Sequence, residues 1–356
     1  MVDVKKEEIF EALKAVIDPE LKRDIVSLGM VKEVDVSGAD VSVQIELTTP
    51  ACPLKEQIAS DVRRVLKGLP GMGQIQIRFT GRVAATEEKN SLPGVGHVVA
   101  VGSGKGGVGK STVAVNTALA LSRDGARVGL LDADVYGPNV PTMLGVHEPE
   151  RVTESKIVPA RKHGIRVLSM GFFLNPDQPV IWRGPMLHSA VKQFLYDVEW
   201  GELDYLIVDL PPGTGDVQLS LSQMIPVSGA VIVATPQNVA LEDAAKAVTM
   251  LRKVNIEILG VVENMSYFIC PHCSERVEPF GHGGAEAAAK EWCVRFLGRL
   301  PMDPAVRTGG DAGEPPALRD DELADAFRTI ARNIAGEIST RQHGVPRSIA
   351  LGKTSP

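Results

Sequence analysis

Cysteine is scarce in this chain: Cys52, Cys270, Cys273 and Cys293 are the four among 356 residues. So few exclude a disulfide scaffold and suit a reducing compartment, where a cysteine with a task is a thiolate ligand or a nucleophile. Long apolar runs are also missing. No stretch approaches the roughly 18 apolar residues of a spanning helix, and the opening MVDVKKEEIF has no signal-peptide core. A cytoplasmic protein with no membrane partner is therefore expected. Charge of one sign is not in large excess, since 38 Lys and Arg against 44 Asp and Glu leave a formal charge of −6. Bulk charge gives no attraction to nucleic acid, and none is expected as a partner.

What is present is an ordinary globular composition, in a length that predicts two domains. Ile9, Leu13, Val16 and Ile17 fall at helical spacing, and VKEVDV and VSVQIEL alternate around the turn residues SGAD. Leu54, Ile58, Val62 and Leu66 give a second helical stripe, and QIQIRF alternates again. Residues 1–83 are thus expected to form a small α+β domain in the order αββαβ. The polar, then Pro/Gly-punctuated stretch 84–94 reads as a linker. From residue 95 onward the pattern changes to continuous apolar runs (HVVAVGS, RVGLLDAD, IRVLSM, DYLIVDLPP, AVIVATP, EILGVVEN) separated by segments of helical length. Strands apolar on both faces predict an α/β domain over 95–340 with a doubly wound, mainly parallel sheet. Leu323, Phe327, Ile330 and Ile334 mark a closing helix, and 341–356 reads as a loose tail.

Residues 101–112, VGSGKGGVGKST, satisfy G-x-x-x-x-G-K-[ST] between a predicted strand and a predicted helix. Gly104, Lys105, Gly106, Gly107, Val108, Gly109, Lys110, Ser111 and Thr112 form the phosphate cradle: glycines turn backbone N–H groups inward, and the helix N-terminus adds its positive dipole end. Lys110 reaches the terminal phosphates and Ser111 ligates Mg²⁺. Asp209 ends another apolar strand, followed by Gly213 and Gly215, and is expected to hold Mg²⁺ through water while the loop after it moves with the γ-phosphate. Asp132 and Asp134 end a third strand; either could orient the attacking water, and Asp134 is assigned that role. Asn264, in VVENMSYF, offers an amide to a purine edge. Ser266 stands where guanine-selective relatives carry an Asp, which favours ATP, and LPMDPAVRTGG is placed across the base.

A phosphate loop needs one lysine, and this one has two. Lys105 either points to solvent or meets a phosphate of another subunit. KGGVGK resembles the deviant phosphate loop of the class that includes septum-site and plasmid-partition ATPases, the arsenite-pump ATPase and nitrogenase iron protein. That resemblance implies that Lys105 contacts the nucleotide of a partner protomer, and hence a homodimer closed on ATP.

Cys270 and Cys273 form a C-x-x-C just after the Asn264 strand. Taken alone they fit a redox pair, half a zinc knuckle with His272, or two structural cysteines. Two-fold symmetry would double them to four thiolates, which zinc and an iron-sulfur cubane both accept. SGKGGVGKST, WRGPM, DYLIVDLPPGTGD and ENMSYFICPHC, in this order, resemble the Mrp-type, or ApbC, iron-sulfur cluster carrier ATPases. The resemblance spans roughly residues 95–338. It implies a slow ATPase in which Cys270 and Cys273 share a labile 4Fe-4S cluster across a homodimer and pass it to apo iron-sulfur proteins. A partition-type positioning ATPase and a zinc-stapled structural dimer are the alternatives; the acidic DDELADAF stretch in the last helix speaks against the membrane binding that positioning requires.

DPEL, DIVSLGMVKEVDV and TTPACPL resemble the MetI-like domain that accompanies cluster-assembly proteins. This implies an auxiliary part for Cys52 in transient transfer or target docking, helped by a strand-to-helix junction that favours the thiolate. Cys293, among apolar neighbours, is expected in the core.

Overall fold

The computed structural model describes residues 5–83, 92–153, 156–174 and 184–343. The expected linker up to residue 91, Trp182 and Arg183 of the WRGPM stretch, and the tail beyond His343 lie outside the described residues. Contacts group the chain into two units: residues up to 84 together with those from Ala335, and residues 85–334.

In the first unit, α1 (Lys6–Leu13), β1 (Val31–Ser37), β2 (Asp40–Leu47), α2 (Lys55–Lys67) and β3 (Ile75–Gly81) follow the expected αββαβ order. β1 and β2 pair antiparallel, and α2 carries the chain across to β3, which runs parallel to β2. Strict alternation in β2 sends Val41, Val43, Ile45 and Leu47 inward to share a core with Ile58, Val62 and Leu66 of α2. α1 is shorter than its apolar stripe. Pro19 disfavours helix at Asp18, whose carboxylate instead accepts the Glu20 and Leu21 N–H groups at 2.9 Å each. Val16 is nevertheless buried, whereas Ile17 is turned outward.

The second unit runs β4 (Val95–Gly102), α3 (Lys110–Arg123), β5 (Val128–Asp132), α4 (Val140–Leu144), β6 (Arg151–Val152), β7 (Ile157–Val158), β8 (Ala160–Lys162), β9 (Ile165–Ser169) and α5 (Gly184–Tyr196). It continues through β10 (Leu203–Asp209), α6 (Asp216–Met224), β11 (Gly229–Ala234), α7 (Asn238–Lys253), β12 (Ile258–Ile269), β13 (Arg276–Val277), α8 (Gly284–Glu291), β14 (Phe296–Pro301), α9 (Pro304–Ala312) and α10 (Glu322–Gln342).

The main sheet has the order β13-β12-β11-β4-β10-β5-β9-β8, with β14 also paired to β12; the pairings are parallel except those of β8 and β13. The six apolar runs read from the sequence are the strands β4, β5, β9, β10, β11 and β12. β10 is buried at every position, as a strand covered on both faces must be. The chain leaves β4 towards β5, then returns to place β10 between them and β11 on the other side. This reversal opens a crevice at the carboxyl ends of β4, β5 and β10, where open α/β sheets bind ligands. Register brings Asp209 level with Asp132 and Val101 there. Leu323, Phe327, Ile330 and Ile334 of α10 are buried as the stripe predicts.

Candidate functional site

Between the end of β4 and the first turn of α3, the chain doubles back through Gly107 (φ +79°) and Gly109 (φ +85°), conformations that L side chains rarely adopt. Gly104 is required by proximity: a Cβ there would lie 2.1 Å from the Asp243 carbonyl carbon of α7. The loop delivers Lys110 into a buried cluster of three carboxyls. Its Nζ donates to Asp209 Oδ1 at 2.7 Å and to Ser111 Oγ at 3.1 Å, and lies 3.5 Å from Asp134 Oδ2. Asp134 is fixed by the backbone N–H groups of Tyr136 and Gly137, both at 3.2 Å.

One lysine cannot neutralise three carboxylates. Burial raises the Asp209 pKa, with the Lys110 charge opposing. Asp132 is pushed up to about 8 by burial and then by the charge of Asp209, so it holds its proton at neutral pH. It accepts hydrogen bonds from Ser169 Oγ at 2.8 Å and from the N–H groups of Asp134 and Val140. Of the sequence pair, Asp134 is the one that stands beside the lysine, at 3.5 Å. Asp209 Oδ2 is buried without a hydrogen-bond partner, which leaves an acceptor for a water on Mg²⁺. That acceptor and the Ser111 hydroxyl beside Lys110 are a donor set that fits the ion.

The loop after Asp209 is tied to the phosphate loop: Gly213, at φ +97°, donates its N–H to the Ser103 carbonyl at 3.0 Å. Ser103 Oγ in turn donates to the Lys105 carbonyl. Lys105 is half-buried, and its charge reaches Asp243 of α7, whose pKa is lowered first by its bond to Lys246 and also by Lys105.

A cavity of about 430 Å³ opens beside Gly109 and Thr112. Asn264 and Met265 of β12 line it on one side, and Pro301, Met302, Asp303, Val306 and Arg307 on the other. The two sequence stretches offered for the base thus line one space. Asn264 does more than line it, because its Nδ2 donates to the Val108 carbonyl at 2.8 Å and pins the phosphate loop to β12. Ser266, at the position where guanine-selective relatives carry an Asp, does not line this cavity. It is fully buried and donates to Glu263 Oε1 at 2.6 Å, so its side chain faces away from the cavity. The reason is a kink at Met265 (φ +54°), which shifts the alternation of β12.

Glu263 was not anticipated. It is buried, accepts from Ser266 and from the Ala285 N–H that opens α8, and faces Arg299 at 3.4 Å. A Glu inside an apolar strand was the available signal.

β12 runs on past the sheet body and turns at Cys270 into β13. Phe268 pairs with Val277 and Ile269 with Arg276, and the Cys270 N–H donates to the Glu275 carbonyl at 2.9 Å. Cys270 is half-buried and Cys273 exposed. The Cys270 sulfur accepts hydrogen bonds from the backbone N–H groups of Cys273 and His272 and from the Cys273 thiol, which lowers its pKa. Among the described residues no group of three or more His, Cys, Asp or Glu could hold a metal ion. Cys52, between β2 and α2, is buried in the first unit's core. Cys293 is not a core residue: it is exposed, at φ +53° in the turn after α8, because α8 stops at Glu291.

Residues 94–335 match the family model described as ParA, NUBPL iron-transfer P-loop NTPase, and residues 6–77 match an iron-sulfur cluster assembly protein domain. The iron-sulfur cluster carrier protein of Deinococcus radiodurans is 55% identical over 338 residues, covering 94% of this chain and 95% of that one. The chain belongs to the iron-sulfur cluster carrier family of P-loop NTPases. Among solved structures, a nucleotide-binding protein from Archaeoglobus fulgidus in complex with ADP aligns at TM-score 0.57 and 38% identity, covering 65% of this chain and 91% of that one. The Pyrococcus furiosus cell division ATPase MinD aligns at TM-score 0.50 and 26% identity, over 67% and 98%. The carrier-family match takes in both the phosphate loop and the Cys270–Cys273 hairpin. No helix among the described residues of this family member is long and apolar enough to cross a membrane.

Proposed function

We propose that the chain is an ATP-hydrolysing carrier that holds a labile 4Fe-4S cluster, as cargo, between two protomers and releases it to apo iron-sulfur proteins. The observation that carries this reading is the common strand: β12 pins the phosphate loop through Asn264 and ends in the Cys270–Cys273 pair. Two thiolates are half of a cubane's usual ligand set, and a second copy supplies the rest. Transfer is then an exchange of cysteine ligands for client cysteines, with no net oxidation.

Lys110, which donates to Asp209 beside the loop, turns its ammonium to the terminal phosphates when ATP binds. Gly104, Gly106, Gly107, Val108, Gly109 and Thr112 supply backbone donors and the start of α3. Lys105 swings from beside Asp243 to the partner's nucleotide. Ser111, and Asp209 through water, would hold Mg²⁺, which would supply neutralising charge at the phosphates. Asp134 orients the water; the water oxygen bonds to the γ-phosphorus as the bond to the ADP oxygen breaks, giving ADP, phosphate and a proton. Hydrolysis is slow in the isolated chain and is coupled to cluster release through the loop after Asp209 and β12. The chain works in the cytoplasm, without nucleic acid or membrane. Cys52, being buried, takes part only if the Thr48–Leu54 turn opens.

Anaerobic reconstitution with iron and sulfide tests the cargo. A broad absorbance near 400 nm that disappears in the Cys270→Ser, Cys273→Ser variant supports it; colourless protein holding zinc supports the stapled dimer instead. The MinD likeness favours a positioning ATPase as the second reading, and vesicle pelleting with ATP decides that one.

A further inference from the structure

Inside the second unit, α6 puts two polar side chains into an apolar core. Gln218 and Ser222, four residues apart and so on one face of the helix, are only 1% and 2% exposed. Among the described residues, neither the oxygen nor the nitrogen of the Gln218 amide has a hydrogen-bond partner, and the Ser222 hydroxyl has none either. An amide buried in this way costs free energy that an apolar side chain of the same length would avoid. It is a group that a moving element can be built to satisfy.

Gln218 stands where two loops of the nucleotide site meet. A Cβ on Gly102, the last residue of β4, would lie 3.4 Å from Gln218 Nε2, with methyl carbons of Ile232 and Leu210 at 3.9 and 4.0 Å from the same point. The next residue, Ser103, accepts the Gly213 N–H and donates to the Lys105 carbonyl. Gln218 itself lies in the first turn of α6, into which the loop after Asp209 runs directly, and the Leu219 N–H binds that turn to the Gly215 carbonyl at 3.1 Å. The side chain thus spans from the far end of one loop to the root of the other.

We propose that Gln218 is a positioning residue for ATP hydrolysis: as the loop after Asp209 takes up the γ-phosphate, α6 shifts with it and the Gln218 amide bonds to the backbone at Gly102–Ser103, so that both loops close on the nucleotide as one unit. The proposal rests on the ATP-hydrolysing reading above. An amide carries both donor and acceptor, which suits a stretch of backbone that offers both. Because the bond forms only with the γ-phosphate in place, it favours the hydrolysis step and not ADP binding. Ser222, a turn further along α6, lies beyond the junction and takes no part.

The test uses the full chain and Gln218→Met, which keeps the length of the side chain and removes the amide. Ser222→Ala is the matched control for loss of a buried polar atom. ATP turnover, MgADP affinity by calorimetry and the urea midpoint are measured for each, with hydrogen exchange of residues 213–224 in MgADP and in a non-hydrolysable ATP analogue with Mg²⁺. Gln218→Met is expected to keep an equal or higher urea midpoint, and MgADP affinity and KM within about twofold of wild type, while kcat falls at least about tenfold. In wild type the analogue should slow exchange over 213–224 at least about tenfold relative to MgADP, and the variant should lose that difference. Ser222→Ala should follow wild type throughout. An unchanged kcat overturns the proposal, since the amide is then inert. A variant that does not fold, or one whose urea midpoint, MgADP affinity and kcat fall together, overturns it as well, because the amide then serves the fold through a buried water. A wild-type chain that hydrolyses no ATP defeats the ATPase reading instead; the link between the two loops then stands if the analogue protects wild type and not Gln218→Met, and falls if it protects both or neither.

Discussion

Lys110 and Asp209 hold the centre of this site together by one contact. The lysine donates to the carboxylate at 2.7 Å, and the two opposite charges compensate each other inside the buried cluster. Gly104 is the residue with least latitude. Gly104→Ala puts a methyl group into the backbone of α7, and the expected result is a loss of about 1–3 kcal/mol in stability. ADP affinity, by titration calorimetry, is expected to fall at least about tenfold. Asp132 gives a pH signature. Its folded pKa is about 8 against an ordinary carboxylate value of 3.8, so between those limits the native state holds a proton that the unfolded chain has lost. Stability of the nucleotide-free protein should therefore fall as pH rises towards and through 8. Asp132→Asn keeps the shape and removes the titration, and its melting temperature should be flatter over the same range.

Among the elements, β12 joins the most functions. It carries Asn264 at the cavity, the Met265 kink, buried Glu263 and the approach to Cys270. Tyr267 also accepts the Met302 N–H from the far cavity wall. Glu263→Ala strips an acceptor from Ser266 and from the first turn of α8 and leaves Arg299 facing a void. The expected cost is roughly 3 kcal/mol, seen as a lower urea midpoint. Much of this element was legible in sequence: EILGVVEN predicts a buried strand, and Asn264 and the cysteine pair stand out by type and spacing. The direction of Ser266 was not, because alternation counts only residues, and a left-handed Met265 moves the following side chain off the face that counting assigns. Cys293 failed for a related reason. Its neighbours are apolar, but α8 ends two residues earlier and the turn lifts the thiol into solvent.

At the scale of the whole molecule, α10 belongs to more than one unit. Phe327 and Ile330 are buried in the second unit, whereas from Ala335 the helix groups with the first, where Ile338 is buried and Ser339 Oγ donates to Thr48 Oγ1 at 2.7 Å. A chain ending at Ile334 should show earlier hydrogen exchange in β1–β3, with about 1.5–3 kcal/mol of protection lost from the burial of Ile338 alone. Helical spacing along 322–340 locates the helix; it does not say which core each turn enters, since every turn of an amphipathic helix presents the same stripe.

The sequence by itself determined the two fold types, the order of elements, and the places in the chain of the phosphate loop, of Asp209 and of the cysteine pair. Each depends on residue type at short spacing, which local backbone geometry converts directly into a loop or a strand. Only the tertiary structure decided that burial raises the pKa of Asp132 and Asp209, which way Ser266 faces, that Asn264 pins the phosphate loop, and that Cys293 is exposed. Those outcomes depend on burial and on distances between residues far apart in the chain, and such distances exist only once the strands have taken their places in the sheet.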